Sequence, residues 1–246
     1  MTFDSASLAQ LEPRNLFCAL LDVRDLGGDV YAVQLALPEC ERPLFYAGQY
    51  ALLSRLDGEQ SAFSIANPPE ELSGLEFHIL AREESPIQLL QDIRQQQGVC
   101  VALPFGDVHT QSIQKDKPLL LIAASTGMSQ IHSLVESLTQ HHFMQPIHIY
   151  WGARFASDLY KLPAFPRWKQ YDNVHMHTII SHDENWMGRS GLLYEAICAD
   201  ISQLEQYQVI ASGSPAMVYA TFDALCAAGM QPEQMQADVF AYAPRD

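Results

Sequence analysis

The sequence is poor in basic side chains. It has 14 lysines and arginines against 29 aspartates and glutamates, which gives a formal net charge of -15. Proteins that bind nucleic acid or anionic membranes need clustered Lys and Arg to meet the phosphates. The composition therefore argues against both functions. We interpret the acidity as a contribution to solubility, and docking to a basic partner is the alternative interpretation.

Paired cysteines and long apolar runs are also missing. The five cysteines are scattered without a C-x-x-C pair, so neither a disulfide framework nor a structural zinc site is indicated, and we expect reduced thiols. They are Cys18, Cys40, Cys100, Cys198 and Cys226. No stretch is long and apolar enough to cross a bilayer, and the first residues show no leader pattern. We therefore predict a cytoplasmic location and no membrane partner.

Several catalytic and metal motifs are absent as well. The chain has no G-x-S-x-G elbow, no Walker turn and no plant-type cysteine cluster, so any [2Fe-2S] centre would belong to a separate protein. Nine histidines raise the question of a metal site. His175 and His177 alternate onto one face of a predicted strand and His182 follows, but no carboxylate stands at a ligand spacing. We expect hydrogen-bonded or surface histidines and no metal.

The most informative stretch lies at the middle of the chain. Residues 119–124 form an unbroken apolar run, which is typical of a strand buried on both faces of a parallel sheet. Ser125-Thr126-Gly127 is a compact turn, and apolar residues then recur from Met128 to Leu138 at the spacing of an amphipathic helix. Free N–H groups and the helix dipole converge at such a corner. It is therefore a candidate site for a phosphate or another anionic ligand.

The rest of the chain divides into two patterns. Short strands are expected at 16–26, 30–37, 50–56, 62–66, 75–81 and 99–103, with a short helix near Pro86. After a polar segment at 107–117, strands are expected at 119–124, 147–151, 174–180, 209–211 and 237–241, alternating with helices near 128–140, 157–161, 192–199 and 215–228. We predict an N-terminal antiparallel Greek-key β-barrel, residues 1–108, followed by a five-stranded parallel α/β nucleotide-binding domain, residues 109–246.

Five stretches in this order carry a family resemblance. They are Ser61-Ala-Phe-Ser-Ile-Ala-Asn-Pro68, Ala123-Ala-Ser-Thr-Gly-Met-Ser129, Ile149-Tyr-Trp-Gly-Ala-Arg154, Trp186-Met-Gly-Arg-Ser-Gly-Leu192 and Ile210-Ala-Ser-Gly213. From about Leu16 onward the chain resembles the ferredoxin-NADP reductase superfamily, and most closely its NAD(P)H:flavin oxidoreductase branch. The resemblance implies hydride transfer from NADH or NADPH to FAD, FMN or riboflavin, held between the barrel and the α/β domain.

The resemblance also implies roles for individual residues. Ser64 would be the catalytic residue that hydrogen-bonds flavin N5, because a hydroxyl can donate to the oxidised ring and accept from the reduced one. The implied flavin contacts are Phe63, Ser64, the backbone of Ile65 and Ala66, and His78 and Ile79. The implied nucleotide contacts are Ser125, Thr126, Gly127, Met128, Gly152 and Arg154, with Ser212 and Gly213 near the reacting carbon. Arg154 and Arg189 could grip the 2'-phosphate of NADPH or be solvated surface arginines.

The sequence departs from the family pattern at three places. Ser61 replaces the arginine that usually faces the flavin phosphate, a loss worth about 1.5 to 3 kcal/mol. Ala124 and Ser125 replace glycines of the nucleotide turn, and Gln130 stands where many relatives have proline. We expect a loosely bound flavin or a flavin substrate. The alternatives are a flavoprotein that passes electrons to a separate electron-acceptor protein and a degenerate, non-catalytic binding member.

Overall fold

The first half of the chain forms an antiparallel barrel. The computed structural model describes residues 11–38, 44–70 and 74–245, so Cys40 and the start of the predicted first domain lie outside the described residues. The strands are β1 (Arg14–Gly27), β2 (Val30–Ala36), β3 (Tyr50–Ser54), β4 (Gln60–Ser64), β5 (Leu75–Leu80) and β6 (Gly98–Phe105), in the order β4-β3-β6-β1-β2-β5. A bridge between Ile65 and Phe77 joins the two outer strands. The predicted barrel is confirmed.

The barrel interior is filled by alternate side chains of its strands and capped by helix α1 (Glu84–Gln96). Leu75, Phe77 and Ile79 of β5 point into this core, as the alternation predicts. The opposite face of β5 is covered too, because the second half of the chain packs against it. His78 on that face is only 3% exposed and lies 3.3 Å from the hydroxyl of Tyr160.

The second half is a parallel sheet with helices on both faces. Its strands are β7 (Leu119–Ala124), β8 (Ile147–Ala153), β9 (Val174–Ile180), β10 (Arg189–Ser190), β11 (Gln208–Ser212) and β12 (Met235–Gln236), in the order β10-β9-β8-β7-β11-β12. The helices are α2 (Met128–Gln140), α3 (Phe165–Trp168), α4 (Leu193–Asp200), α5 (Pro215–Ala227) and α6 (Val239–Tyr242). The predicted α/β class is confirmed. Four of the five predicted strands are present, and two short strands, β10 and β12, form the edges of the six-stranded sheet.

Two predicted elements are wrong. Residues 157–161 were expected to be helical, but they hold only a short 3-10 turn at Ala156–Asp158, and the next helix, α3, begins at Phe165. Pro163 disfavours helical geometry in the residue before it. Residues 237–241 were expected to be a strand, but pairing ends at Gln236 and the chain turns into α6. A short apolar run does not distinguish a strand from a helix by periodicity.

Helix α2 lies between the barrel and the parallel sheet and is buried along almost its whole length. Its apolar side chains enter the core beside β7. Its polar side chains instead bond to the barrel backbone: the Gln130 amide donates to the carbonyl of Gly48 at 2.7 Å, His132 Nδ1 to that of Ala66 at 2.7 Å, and Ser133 Oγ to that of Asn67 at 2.9 Å. These bonds hold the two halves in one arrangement.

Within the described parts of the chain, no helix combines the length and apolarity that crossing a membrane would require. Among the described cysteines, Cys100, Cys198 and Cys226 are not joined in a disulfide.

The carboxylate of Glu76 lies in the same junction between the halves. It accepts hydrogen bonds from Gln34 at 2.8 Å and from His78 Nε2 at 3.0 Å, and Arg24 lies 3.1 Å away. Burial by itself would raise the pKa of Glu76, but the bonds from His78 and Gln34 outweigh it and lower the pKa from 4.5 to about 2. The folded protein therefore favours the ionised form.

We predict that Glu76→Gln destabilises the protein in a pH-dependent way. A lowered carboxyl pKa stabilises the fold above about pH 4.5, and this contribution is lost as the pH falls toward 2. At pH 7 the free energy of unfolding should fall by about 3 kcal/mol, and the difference from the wild type should shrink below pH 4.5. Urea unfolding between pH 3 and pH 7 measures this. Glu59→Gln, which alters an exposed ion pair with Arg55, is the control with little expected effect.

Candidate functional site

One wall of the candidate site is the end of β4. Ser64 is half-buried there, and among the described residues its hydroxyl has no hydrogen-bond partner. Tyr50 of β3 lies directly opposite Ser64 in the antiparallel pairing, so the two side chains share a face of the barrel. The ring of Tyr50 stacks on that of Phe105 at 5.7 Å. The wall therefore offers a free hydroxyl beside an aromatic pair.

The carboxyl of Asp238, at the start of α6, lies beside this wall. A Cβ on Gly106 would be 2.9 Å from Asp238 Oδ1 and 2.9 Å from Tyr50 Cδ1, so only a glycine permits this approach. Burial, with the nearby charge of Asp107, raises the pKa of Asp238 to about 6, although the hydrogen bond from Gln130 acts in the opposite direction. A group whose pKa is about 6 thus lies on the same side of Gly106 as Tyr50, the residue that pairs with Ser64.

The second wall is the corner after β7. Residues Ser125–Gly127 form a single 3-10 turn, with Ser125 in the left-handed region at φ 50°, and α2 begins at Met128. Trp151 Nε1 donates to the carbonyl of Ser125 at 3.1 Å. A Cβ on Gly127 would lie 2.2 Å from the carbonyl oxygen of Ser212, so the turn is packed directly on the end of β11. This brings Thr126, Gly127 and Ser212 together.

The two walls are linked through β5, because the Ser125–Gly127 turn contacts β5 and a bridge joins Phe77 of β5 to Ile65, the residue after Ser64. Phe63 and Ser64 are half-buried at the rim, as are Ser125, Thr126, Gly127, Ser212 and Gly213. Four other predicted contacts have buried side chains, so only their backbone groups can reach a ligand: Ile65, Ala66, Ile79 and Met128. His78 is buried in the junction between Glu76 and Tyr160. The binding roles of all these residues stay predictions.

The structure separates the two candidate arginines. Arg189 is held by the Asp200 carboxylate and by the carbonyl of Ala196. Arg154 is exposed, with its guanidinium 6.0 Å from the ring of Phe155, and it forms no ion pair with any described residue. Gly152 is buried where its Cβ would meet the side chain of Leu193. Arg154 is therefore the arginine that remains available for an anionic ligand.

The histidines do not form a metal centre. His175 and His177 lie beside His148, at ring distances of 4.8 and 6.0 Å, whereas His182 bonds to Ser181 elsewhere. Burial, followed by the two neighbouring imidazoles, lowers the pKa of His148 to about 4. In residues 11–38, 44–70 and 74–245, no group of three or more His, Cys, Asp or Glu is arranged to hold a metal ion.

The residues at the rim fit a flavin ring better than a flavin phosphate. The ring would find the Ser64 hydroxyl, the ring of Tyr50 and backbone groups, whereas Phe63 pairs with Ala51 and packs against the barrel core. Ser61 stands where the family pattern has the arginine that faces the flavin phosphate, and it pairs with Leu53 of β3. Two arginines elsewhere on the barrel are occupied: Arg55 binds Asp57 and Glu59, and Arg82 binds Asp29 and Asp158.

Sequence reasoning missed three residues of this site, namely Tyr50, Gln130 as a hydrogen-bond donor, and Asp238. Asp238 fell inside the segment that was predicted to be a strand, which hid its place at a helix start. Gly106 directly follows β6 and has φ 92°. This glycine was the local sequence signal that another part of the chain approaches the backbone closely there.

Comparisons with known proteins agree with this geometry. Residues 121–223 match the family model of the oxidoreductase NAD-binding domain. Protein RfbI of Salmonella typhimurium is 30% identical over 220 residues, which cover 87% of this chain and 65% of RfbI. Reductase component 2 of terephthalate 1,2-dioxygenase from Comamonas sp is 29% identical, over 97% of this chain and 73% of that protein. The chain thus spans about two thirds to three quarters of these two relatives.

Two further comparisons cover nearly the full length of both chains. NAD(P)H-flavin reductase of Vibrio harveyi is 29% identical over 235 residues, which cover 92% of this chain and 98% of the reductase. The structure of a ferredoxin NADP+ reductase from Neisseria gonorrhoeae, with bound FAD and NADP, matches with a TM-score of 0.73 at 19% identity, over 91% of this chain and 97% of that one. At that identity the structural match shows the two-domain fold.

We predict that Gly127→Ala disrupts the second wall. The added Cβ meets the backbone of Ser212, which cannot rotate away, so the turn must move off the end of β11. The free energy of unfolding should fall by roughly 1 to 3 kcal/mol, and nicotinamide nucleotide should bind at least tenfold more weakly. Urea unfolding and NADPH titration measure the two effects. Gly152→Ala meets only the side chain of Leu193, which can adjust, and should perturb binding less.

Proposed function

We propose that this chain, which resembles the ferredoxin-NADP reductase superfamily in its sequence motifs and in its two-domain fold, is an NAD(P)H-dependent flavin reductase. One observation carries the proposal: the fold brings together two groups of hydroxyl-bearing residues. The first is Ser64 at the barrel rim, and the second is the Ser125–Gly127 turn, which packs on Ser212. The near full-length likeness to a Vibrio harveyi NAD(P)H-flavin reductase supports it. The net reaction transfers a hydride from NAD(P)H to the flavin and takes up one proton.

In this proposal residues 1–108 bind the flavin and residues 109–246 bind the nicotinamide nucleotide. When bound, the flavin supplies the hydride acceptor. Ser64 Oγ orients that acceptor, and Phe63 covers one of its faces. The turn residues hold the nucleotide, with Ser212 and Gly213 closing the far side. The protein contributes mainly by positioning donor and acceptor, and such positioning is a large source of rate enhancement.

The flavin is proposed to be a diffusing substrate. Ser61 supports this, because an arginine at that position would supply a charge-assisted bond to a phosphate. Arg55 and Arg82 are occupied by barrel carboxylates. A cytoplasmic location belongs to the same proposal, and the unpaired thiols of Cys100, Cys198 and Cys226 support it because cytosolic proteins keep their thiols reduced.

The second candidate function is electron delivery to a separate protein. The likeness to a reductase component of terephthalate 1,2-dioxygenase favours it, and the net charge of -15 would suit a basic partner. A non-catalytic binding protein is the third candidate, favoured by the loss of the arginine at position 61.

Oxidation of NADH and NADPH by the purified protein, with and without riboflavin, FMN and FAD, separates these candidates. Turnover that depends on added flavin supports the first. A flavin that survives gel filtration and reduces an acceptor protein supports the second. Absence of turnover, together with absence of flavin and nucleotide binding in calorimetry, supports the third.

We predict that Ser64→Ala lowers kcat for flavin reduction by about 10- to 100-fold. The variant removes one hydrogen bond at the reacting atom, and single donors at such positions are worth about this much or more. KM for NADPH should change little, because Ser64 lies on the barrel wall. Steady-state kinetics measure both constants. Ser61→Ala, on the same strand, is the control, and equal activity of both variants and the wild type would remove the named role of Ser64.

We also predict that Ser61→Arg restores phosphate recognition. FMN and FAD should bind about tenfold or more tightly, whereas riboflavin, which has no phosphate, should bind as before. The gain should decrease as salt rises. Flavin fluorescence titrations at several salt concentrations measure this. Ser61→Gln adds a long polar side chain without charge and should leave the ratio of FMN to riboflavin affinity unchanged.

A further inference from the structure

Gln130 connects three segments that are far apart in the sequence. It lies in the first turn of α2, directly after the candidate nucleotide turn, and is only 1% exposed. One amide nitrogen, Nε2, lies 2.7 Å from the carbonyl oxygen of Gly48, just before β3 of the barrel. The same nitrogen lies 2.8 Å from Asp238 Oδ2 at the start of α6. Both hydrogens of the amide are therefore used.

The second partner, Asp238, is held in a crowded place. A Cβ on Gly106 would lie 2.9 Å from the other oxygen of Asp238, Oδ1, and 2.9 Å from Cδ1 of Tyr50, which pairs with Ser64 across the strands. The titratable groups that face it are Asp107 from the segment after β6, Tyr50 from β3 and Tyr242 from α6. None of these groups is cationic, and the negative charge on Asp238 is stabilised by hydrogen bonds from the Gln130 amide and from the backbone of Val108.

We propose that Gln130 is a positioning residue, whose amide joins the nucleotide-turn helix to the barrel and holds the Asp238 carboxyl, in its ionised form, beside Tyr50 and Ser64. The inference rests on the proposed function, since it concerns the same cleft. Flavin reduction takes up one proton besides the hydride, and Asp238 is a place where this chain can hold a proton at the cleft. Gln130 then sets the pH at which the Asp238 oxygens carry that proton.

The direction of the effect follows from the contacts. An amide N–H stabilises a carboxylate more than a neutral carboxyl, so its removal favours the protonated form. The pKa of Asp238, about 6 in the wild type, should rise. Loss of a hydrogen bond to a charged group corresponds to an upward shift of about one unit or more.

The test is a carboxyl 13C NMR titration of Asp238 in the protein without flavin or nucleotide, with Asp238→Asn identifying the signal. Gln130→Met keeps the side-chain volume and removes both bonds, and the Asp238 midpoint should rise by about one unit. Gln130→Asn, whose amide is too short to span Gly48 and Asp238, is the milder variant if Gln130→Met does not fold. Gln208→Met is the control, because Gln208 is likewise buried and donates to the carbonyl of Ser112, away from Asp238.

A rise in both Gln130 variants with no change in Gln208→Met supports the inference. An unchanged Asp238 midpoint in folded Gln130 variants overturns it and leaves Gln130 with a packing role only. In the second readout, the pH profile of flavin reduction should move upward with the midpoint. The titration requires no turnover, so a protein that lacks flavin reductase activity would overturn the proposed function without altering the titration result.

Discussion

The arrangement of the site depends on the hydrogen bonds between the polar face of α2 and the backbone of the barrel. A helix on the face of an α/β sheet ordinarily turns its polar residues to water. Here Gln130, His132 and Ser133 turn theirs to the carbonyls of Gly48, Ala66 and Asn67. Ala66 and Asn67, which carry two of those carbonyls, are the next two residues in the chain after Ser64 and Ile65. The helix that carries the candidate nucleotide turn therefore also fixes the segment that is proposed to meet the flavin.

Burial makes these bonds decisive. A bond between exposed polar groups adds little, but a buried carbonyl or amide that loses its partner costs about 1 to 3 kcal/mol. Changing any of the three side chains leaves a carbonyl of the barrel without that partner in a buried interface. The barrel and the sheet are thus expected to keep one relative position, with the distance between Ser64 and the Ser125–Gly127 turn set by the fold.

Local pattern was enough to predict the parts of the site that are contiguous in sequence. The apolar run at 119–124, the turn and the helix after it follow from residues within one stretch, and the structure has all three. The contacts of Tyr50, Gly106, Gln130 and Asp238 bring together residues up to about two hundred positions apart, and no periodicity records such contacts. The error at 237–241 had the same origin. Val239 belongs to the core on one face of the parallel sheet and Phe240 packs against it, and that packing selects a helix for a run that is equally apolar as a strand.

The hydrogen bonds between α2 and the barrel also influence the affinity that such a cleft would have for a flavin. An enzyme that keeps its flavin can use the bound ring to organise the cleft, whereas one that takes flavin as a substrate needs a cleft that persists between turnovers. In this chain the walls are fixed by protein contacts alone: Gly127 on Ser212, Gly106 against Asp238, and the α2 bonds to the barrel. When a ligand binds to a preformed cleft, little of the binding free energy is lost to ordering loops. Under the proposed function, such a cleft would bind the ring without the phosphate anchor that an arginine at position 61 would supply, and the weaker binding would favour release of the reduced flavin.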